Sequence, residues 1–152
     1  MTGLDAAAGL VRGMVEMLSA GVAKIFFYYS GGVSGAMPWF STMANGYYVL
    51  LDYDGRPKPT MMAYSALESF LADAQPVEVL RRDGLTAHLF ARGQGAVAVL
   101  WSARARPLSV PPGASVFDLM GNEMKPPALN AGEPVYLVAP KLTPSQLQSS
   151  LR

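Results

Sequence analysis

Val22-Ala23-Lys24-Ile25-Phe26-Phe27-Tyr28-Tyr29 is the stretch on which the fold turns. From Ile25 to Tyr29 the side chains are aromatic or branched and apolar, with no polar alternation. Such a run predicts a strand covered on both faces, as in parallel sheets and barrels. Its backbone carries two rows of donors and acceptors, and both need neighbouring strands. No second strand of this kind accompanies it, so the reading expects the partners upstream of Met1 or on another chain.

Upstream, residues 5–20 read as an amphipathic helix. Leu10, Met14, Met17 and Leu18 recur at helical spacing, Thr2 or Asp5 supplies an N-terminal cap, and Gly21 is the expected residue just past the C-terminus. Gly9 and Gly13 weaken this helix by about 1 kcal/mol each relative to Ala, and suit close packing on a neighbouring strand. Downstream, 30–35 is a glycine-rich loop, 37–48 an aromatic-rich connection and 49–52 an extended segment. Asp54-Gly55 marks a turn, and Pro57 and Pro59 prepare a second helix over 59–74, with Met62, Tyr64, Leu67, Phe70 and Leu71 as its apolar stripe.

After Ala74 the period changes from helical to alternating. Strands are predicted at 77–81, 86–91, 96–102, 115–119 and 135–138, punctuated by Asp83-Gly84, 93–95, 111–113 and Gly121-Asn122. Val97, Val99 and Trp101 share one strand face, and Ala98 and Leu100 the other. This pattern predicts a small antiparallel β-sandwich. Residues 142–152 read as a polar tail with one helical turn at most.

Composition narrows the function classes. With 51% hydrophobic and 15% charged residues the chain belongs with packed globular proteins, not disordered ones. A net charge of +1, with its basic residues scattered, lacks the basic stripe that nucleic acid requires. The absence of cysteine removes disulfides, thiol chemistry and zinc ribbons, and the single histidine, His88, leaves one candidate base for any triad. No membrane span is predicted, because no apolar run approaches ~20 residues. The first eight residues also lack the basic start of a signal peptide. The compartment stays open.

Three segments together resemble a known family: Lys24-Ile-Phe-Phe-Tyr-Tyr-Ser30, then Val49-Leu-Leu-Asp-Tyr-Asp-Gly-Arg-Pro-Lys-Pro59, then the helix that follows. The succession resembles the end of a clan A glycoside hydrolase, nearest to the β-xylosidase and α-L-iduronidase style of (β/α)8 barrel with an accessory β-sandwich. In that family a phrase of the type gLlDxdGrPKPay opens the last barrel helix. Ala96-Val-Ala-Val-Leu-Trp-Ser102, Val116-Phe-Asp-Leu-Met-Gly-Asn122 and Glu133-Pro-Val-Tyr-Leu137 are similar to sandwich strands, and the resemblance runs from Leu4 to Ala139.

The resemblance implies an α+β chain: the terminal helix-strand-helix elements of a (β/α)8 barrel at 1–74, a small antiparallel β-sandwich at 75–140, and a polar tail at 141–152. Residues 5–20 would be the seventh barrel helix and 22–29 the eighth strand. The family's acid/base and nucleophile glutamates belong after the fourth strand and on the seventh, so both positions would precede Met1, and no catalytic residue is assigned. A full barrel needs about 250 residues.

Barrel strands end at the active-site face. Tyr28, Tyr29 and the loop residues Trp39 and Phe40 are therefore the expected substrate-binding residues, their rings offered to the apolar faces of sugars. The competing reading of each is plain core or loop packing. Asp52 and Asp54 are a superficial carboxylate pair, better read as turn formers. Glu16 and Glu68 read as solvated, Trp101 as sandwich core, and His88 as a surface or sheet-face histidine.

The expected function is that of a C-terminal part of a glycoside hydrolase that supplies a strand, an aromatic loop and a bracing sandwich. The alternative is a non-catalytic carbohydrate-binding or protein-interaction module. Expected partners are carbohydrate, a barrel portion on the same or another chain, or a second copy of this chain. Nucleic acid, membrane, metal and cofactor are not expected.

Overall fold

The computed structural model describes residues 3–26, 50–51, 55–125 and 127–151. Among them are three helices, α1 (Gly3–Ser19), α2 (Pro59–Leu71) and α3 (Pro144–Ser150). Seven strands accompany them: β1 (Gln75–Arg82), β2 (Leu85–Arg92), β3 (Gly95–Ser102), β4 (Arg106–Pro107), β5 (Ser115–Phe117), β6 (Ala128–Leu129) and β7 (Val135–Ala139). The architecture is mixed α+β. One antiparallel sheet has the order β1-β2-β3-β7-β5, and a separate two-stranded ladder joins β4 to β6.

The turn residues set the register of this sheet. Asp83 and Gly84 both have positive φ, 49° and 77°, the backbone of a type I′ turn, and they place Arg82 opposite Leu85. Gly93, at φ 58°, opens the next two-residue connection and places Arg92 opposite Gly95. From these two turns the ladders bring Phe90 beside Val97, His88 beside Val99, and Val99 beside Tyr136. These residues share one face. Ala87, Leu89, Ala98, Leu100 and Leu137 share the other.

Each face has its own cover. Phe90, Val97, Val99 and Tyr136 join Val11, Met14, Val15, Ala63, Leu67 and Leu71 in a single apolar cluster, so α1 and α2 lie over this side. Phe70 of α2 sits with its ring centroid 4.6 Å from that of Tyr136 and 4.9 Å from that of Phe117. On the reverse face Leu89, Ala98, Leu100 and Leu137 join Leu129 of β6 and Leu147 of α3. One core therefore runs through the boundary expected at residue 74.

Local chemistry accounts for the helix ends. Gly21, at φ 92°, follows α1; its N–H donates to Leu18 and that of Val22 to Met17, the paired bonds of a Schellman motif. Pro59 opens α2 at a position where no N–H is needed. Ala72, at ψ 127°, already leaves the helical backbone, and Asp73 follows in the left-handed region at φ 59°, so α2 ends at Leu71 rather than at the predicted residue 74. Leu51 bridges Pro57, and the Lys58 N–H donates to the Leu50 carbonyl, so 50–51 is an extended stretch tied to the start of α2.

Two expectations need correction. The sandwich is not two comparable sheets: helices cover one face, and only the β4–β6 ladder with α3 covers the other. The polar tail is in part a helix, α3, closed by a capping box. The Thr143 hydroxyl accepts from the Gln146 N–H, and the Gln146 side chain accepts from Thr143 N–H. Leu147 is the apolar anchor that seats it, fully buried in the second core. The strand expected at 22–29 is described only from Val22 to Phe26, which has no ladder partner among the described residues, as a stave with partners elsewhere would; Phe27 to Tyr29 lie outside them.

Two substitutions check this architecture by urea unfolding. A Cβ on Gly95 would meet the Ala139 carbonyl oxygen at 2.6 Å and Pro140 backbone at 2.7 Å. Gly95→Ala should therefore cost about 1–3 kcal/mol through overpacking against backbone that cannot step aside. Leu147→Ala should cost about 2–5 kcal/mol, as for a buried leucine; a loss near zero would mean that α3 is not docked.

Candidate functional site

The four residues expected to meet substrate, Tyr28, Tyr29, Trp39 and Phe40, lie outside the described residues, as do Asp52 and Asp54. The approach to them is described as far as Phe26, whose side chain is 87% exposed. Just before it, Ile25 packs against the helix-side core. Ala23, Lys24 and Ile25 form one wall of a cleft of about 170 Å³, with Met14 and Leu18 of α1 and Tyr64, Leu67 and Leu71 of α2 opposite. The cleft is mainly apolar, with Lys24 and Glu68 as its charged members. A second cleft, about 300 Å³, lies between the start of α1 and residues 131–133; there Arg12 donates to the Gly132 carbonyl at 2.7 Å.

A polar constellation sits where the last turns of α1 meet β1 and β2. Arg81 of β1 donates to both carboxylate oxygens of Glu16, at 2.8 and 2.9 Å. His88 of β2 is fully buried beneath them. Its Nδ1 lies 2.7 Å from the Ser19 hydroxyl. Its Nε2 faces Glu16 Oε1 at 3.4 Å yet makes no hydrogen bond. A carboxylate in front of Nε2 favours the proton there, which leaves Nδ1 to accept from Ser19. The indole of Trp101 stacks on the imidazole, centroids 5.0 Å apart and planes 21° from parallel.

The environment moves both titratable groups. The hydrogen bonds from Arg81 hold the Glu16 carboxyl below its usual range, against a smaller opposing effect of burial. Burial foremost lowers the His88 pKa, the Arg81 charge acts in the same direction, and Glu16 opposes both. His88 is thus a neutral sheet-face residue, which corrects the surface half of its expectation. Glu16 is a paired residue and not a freely solvated one.

Serine, histidine and glutamate in contact invite comparison with a hydrolytic triad. The geometry speaks against that use: the imidazole is inaccessible, and Ser19, Glu16 and His88 line none of the clefts described above. The constellation instead fastens a helix to a sheet. Trp101, with one face taken by His88, is likewise not a free platform for a sugar ring. Sequence reasoning missed the cluster because its contacts join residues 65 or more positions apart. One signal was present: His88 alternates in phase with Phe90, and so shares its buried face.

Among the described residues no catalytic carboxylate pair is identified, and no group of three His, Cys, Asp or Glu residues could hold a metal ion. No helix among them is long and apolar enough to cross a membrane. No protein-family model matches the sequence, and no curated protein matches it. Among solved structures, a family 39 glycoside hydrolase from the gut symbiont Bacteroides cellulosilyticus WH2 is similar, with a TM-score of 0.66 and 20% sequence identity. The likeness covers 88% of this chain and 30% of that one, so the chain spans less than a third of the enzyme's length. It is a likeness of fold, and no closed barrel is seen among the described residues.

Two variants separate the buried from the exposed polar groups here. The Tyr136 hydroxyl is buried with no partner, and burial pushes its pKa up. Tyr136→Phe should therefore stabilise the chain by about 1 kcal/mol, since it removes an unsatisfied group and keeps the ring. Arg81→Ala breaks an ion pair whose side chains are 57% and 44% exposed, and should cost no more than about 1 kcal/mol. Chemical denaturation of both variants beside the parent chain measures the two effects.

Proposed function

We propose that this chain is a non-catalytic interaction module of a glycoside-hydrolase-type protein. Its helix layer and the 22–29 segment dock against barrel elements, on the same polypeptide or another, and the five-stranded sheet braces them from behind. The observation that carries the reading is the surface of the helix layer. Met61 and Met62 of α2 are 36% and 49% exposed on the side away from its buried stripe, and Met17, Val22 and Phe26 are 41%, 40% and 87% exposed at the end of α1 and beyond. Large apolar side chains left open on helices whose other side already serves a core suit a second packing partner. In a (β/α)8 barrel, that partner is a ring of strands.

In this reading Tyr28, Tyr29, Trp39 and Phe40 stand at the sugar-facing end of the docked segment and contribute binding without bond cleavage. Acid/base and nucleophilic carboxylates about 5 Å apart, as retention requires, would come from the barrel elements.

Dye binding and turnover test the proposal. The purified chain should enhance the fluorescence of an apolar-surface probe such as anilinonaphthalene sulfonate. Replacing Phe26 and Met62 together by Ser should reduce that signal without lowering the urea midpoint. Aryl glycosides should not be turned over. Hydrolysis that follows the protein through a second purification and disappears on substitution of one of its own carboxylates would contradict the reading. To address the sugar contacts, Trp101→Phe leaves Trp39 as the only tryptophan, and its emission should shift on addition of pentose or hexose oligosaccharides.

A further inference from the structure

We infer that His88 is a proton-operated latch on the last turn of α1, seating that turn on the sheet when neutral and releasing it when protonated. Four observations carry this, independently of the proposed function. The imidazole is fully buried between the Trp101 ring and the end of α1, so a charge on it is held away from water as long as that turn stays seated. Both contacts of its nitrogens with the helix, Ser19 and Glu16, belong to the last turn and the one before it. Glu16 is already engaged by both hydrogen bonds from Arg81, so its pull on a protonated imidazole is opposed by the guanidinium beside it and falls short of the cost of burying the charge. The chain leaves this turn through Gly21 into the stretch from Val22 to Phe26, whose first N–H is bonded to Met17. Release of the turn therefore loosens the segment that leads toward the expected sugar-facing residues.

Among the described residues, the groups facing His88 are few. Glu16 comes from α1 and Arg81 from β1, while β3 presents Val99 and Trp101, neither of which titrates. Because burial lowers the His88 pKa in the folded chain, its contribution to stability is complete above the ordinary histidine value of about 6.5. That contribution is lost as pH falls from there through the folded value.

The single histidine makes the test direct, since the imidazole resonances of the full chain belong to His88 alone. Between about pH 7 and about pH 5, the expected titration midpoint lies below about 6.5. Over the same interval, after correction for intrinsic exchange, the amides of Ala20, Gly21 and Val22 should lose protection several-fold more than those of Ala98 and Leu100. In Trp39→Phe, the emission of Trp101 should change in parallel. His88→Gln should abolish the selective loss at the end of α1. Glu16→Gln, which retains the histidine and its bond to Ser19, should move the midpoint further down. A midpoint at or above about 6.5, or equal loss of protection in α1 and β3, would overturn the latch.

Discussion

Strand β3 is apolar on both faces, and the rest of the structure follows from that. From Gly95 to Leu100 every residue is buried, with Val97 and Val99 pointing one way and Ala96, Ala98 and Leu100 the other. A sheet built around such a strand cannot leave either side to water, because each exposed face would return a continuous apolar surface to solvent. The antiparallel neighbours β2 and β7 satisfy its edges. Its faces are satisfied by two unlike layers. The helix pair α1–α2 covers one, and the short β4–β6 ladder with α3 covers the other. The helices are therefore not an appendage to the sheet; they form one of its two necessary lids.

That arrangement gives the helices a divided allegiance. Their inner side completes the core of the sheet, while Met61, Met62, Met17, Val22 and Phe26 remain open on the outer side. The polar cluster of Glu16, Arg81, Ser19 and His88 fixes where the end of α1 lands, and so where the chain goes next.

Much of the local structure was legible in the sequence because it rests on short-range rules. Asp83-Gly84 specified a hairpin, Pro59 a helix start and Gly21 a helix end, each through backbone geometry that few other residues tolerate. All five strands of the main sheet were visible as alternating segments. What was not legible depended on distant partners. Residues 142–152 looked polar because the leucines that seat α3, Leu147 with Leu142 and Leu151 beside it, are spread among polar residues. The β4–β6 ladder pairs only two residues on each strand, too few to leave a period. His88, read in isolation, gave no hint that Ser19 and Glu16 would meet it, since contact across 69 residues is set by how the layers stack. The residues expected to meet sugar, from Tyr28 to Phe40, lie outside the described part, so that expectation stands as a proposal.

Joined through the cluster that links Val11, Met14 and Leu67 to Phe90, Val97 and Tyr136, helices and sheet should unfold as one cooperative unit. Differential scanning calorimetry tests it most directly. A single transition in which the calorimetric and van't Hoff enthalpies agree is the predicted result. Two resolved transitions, with helical circular dichroism lost in the first and the sheet surviving to the second, would contradict it.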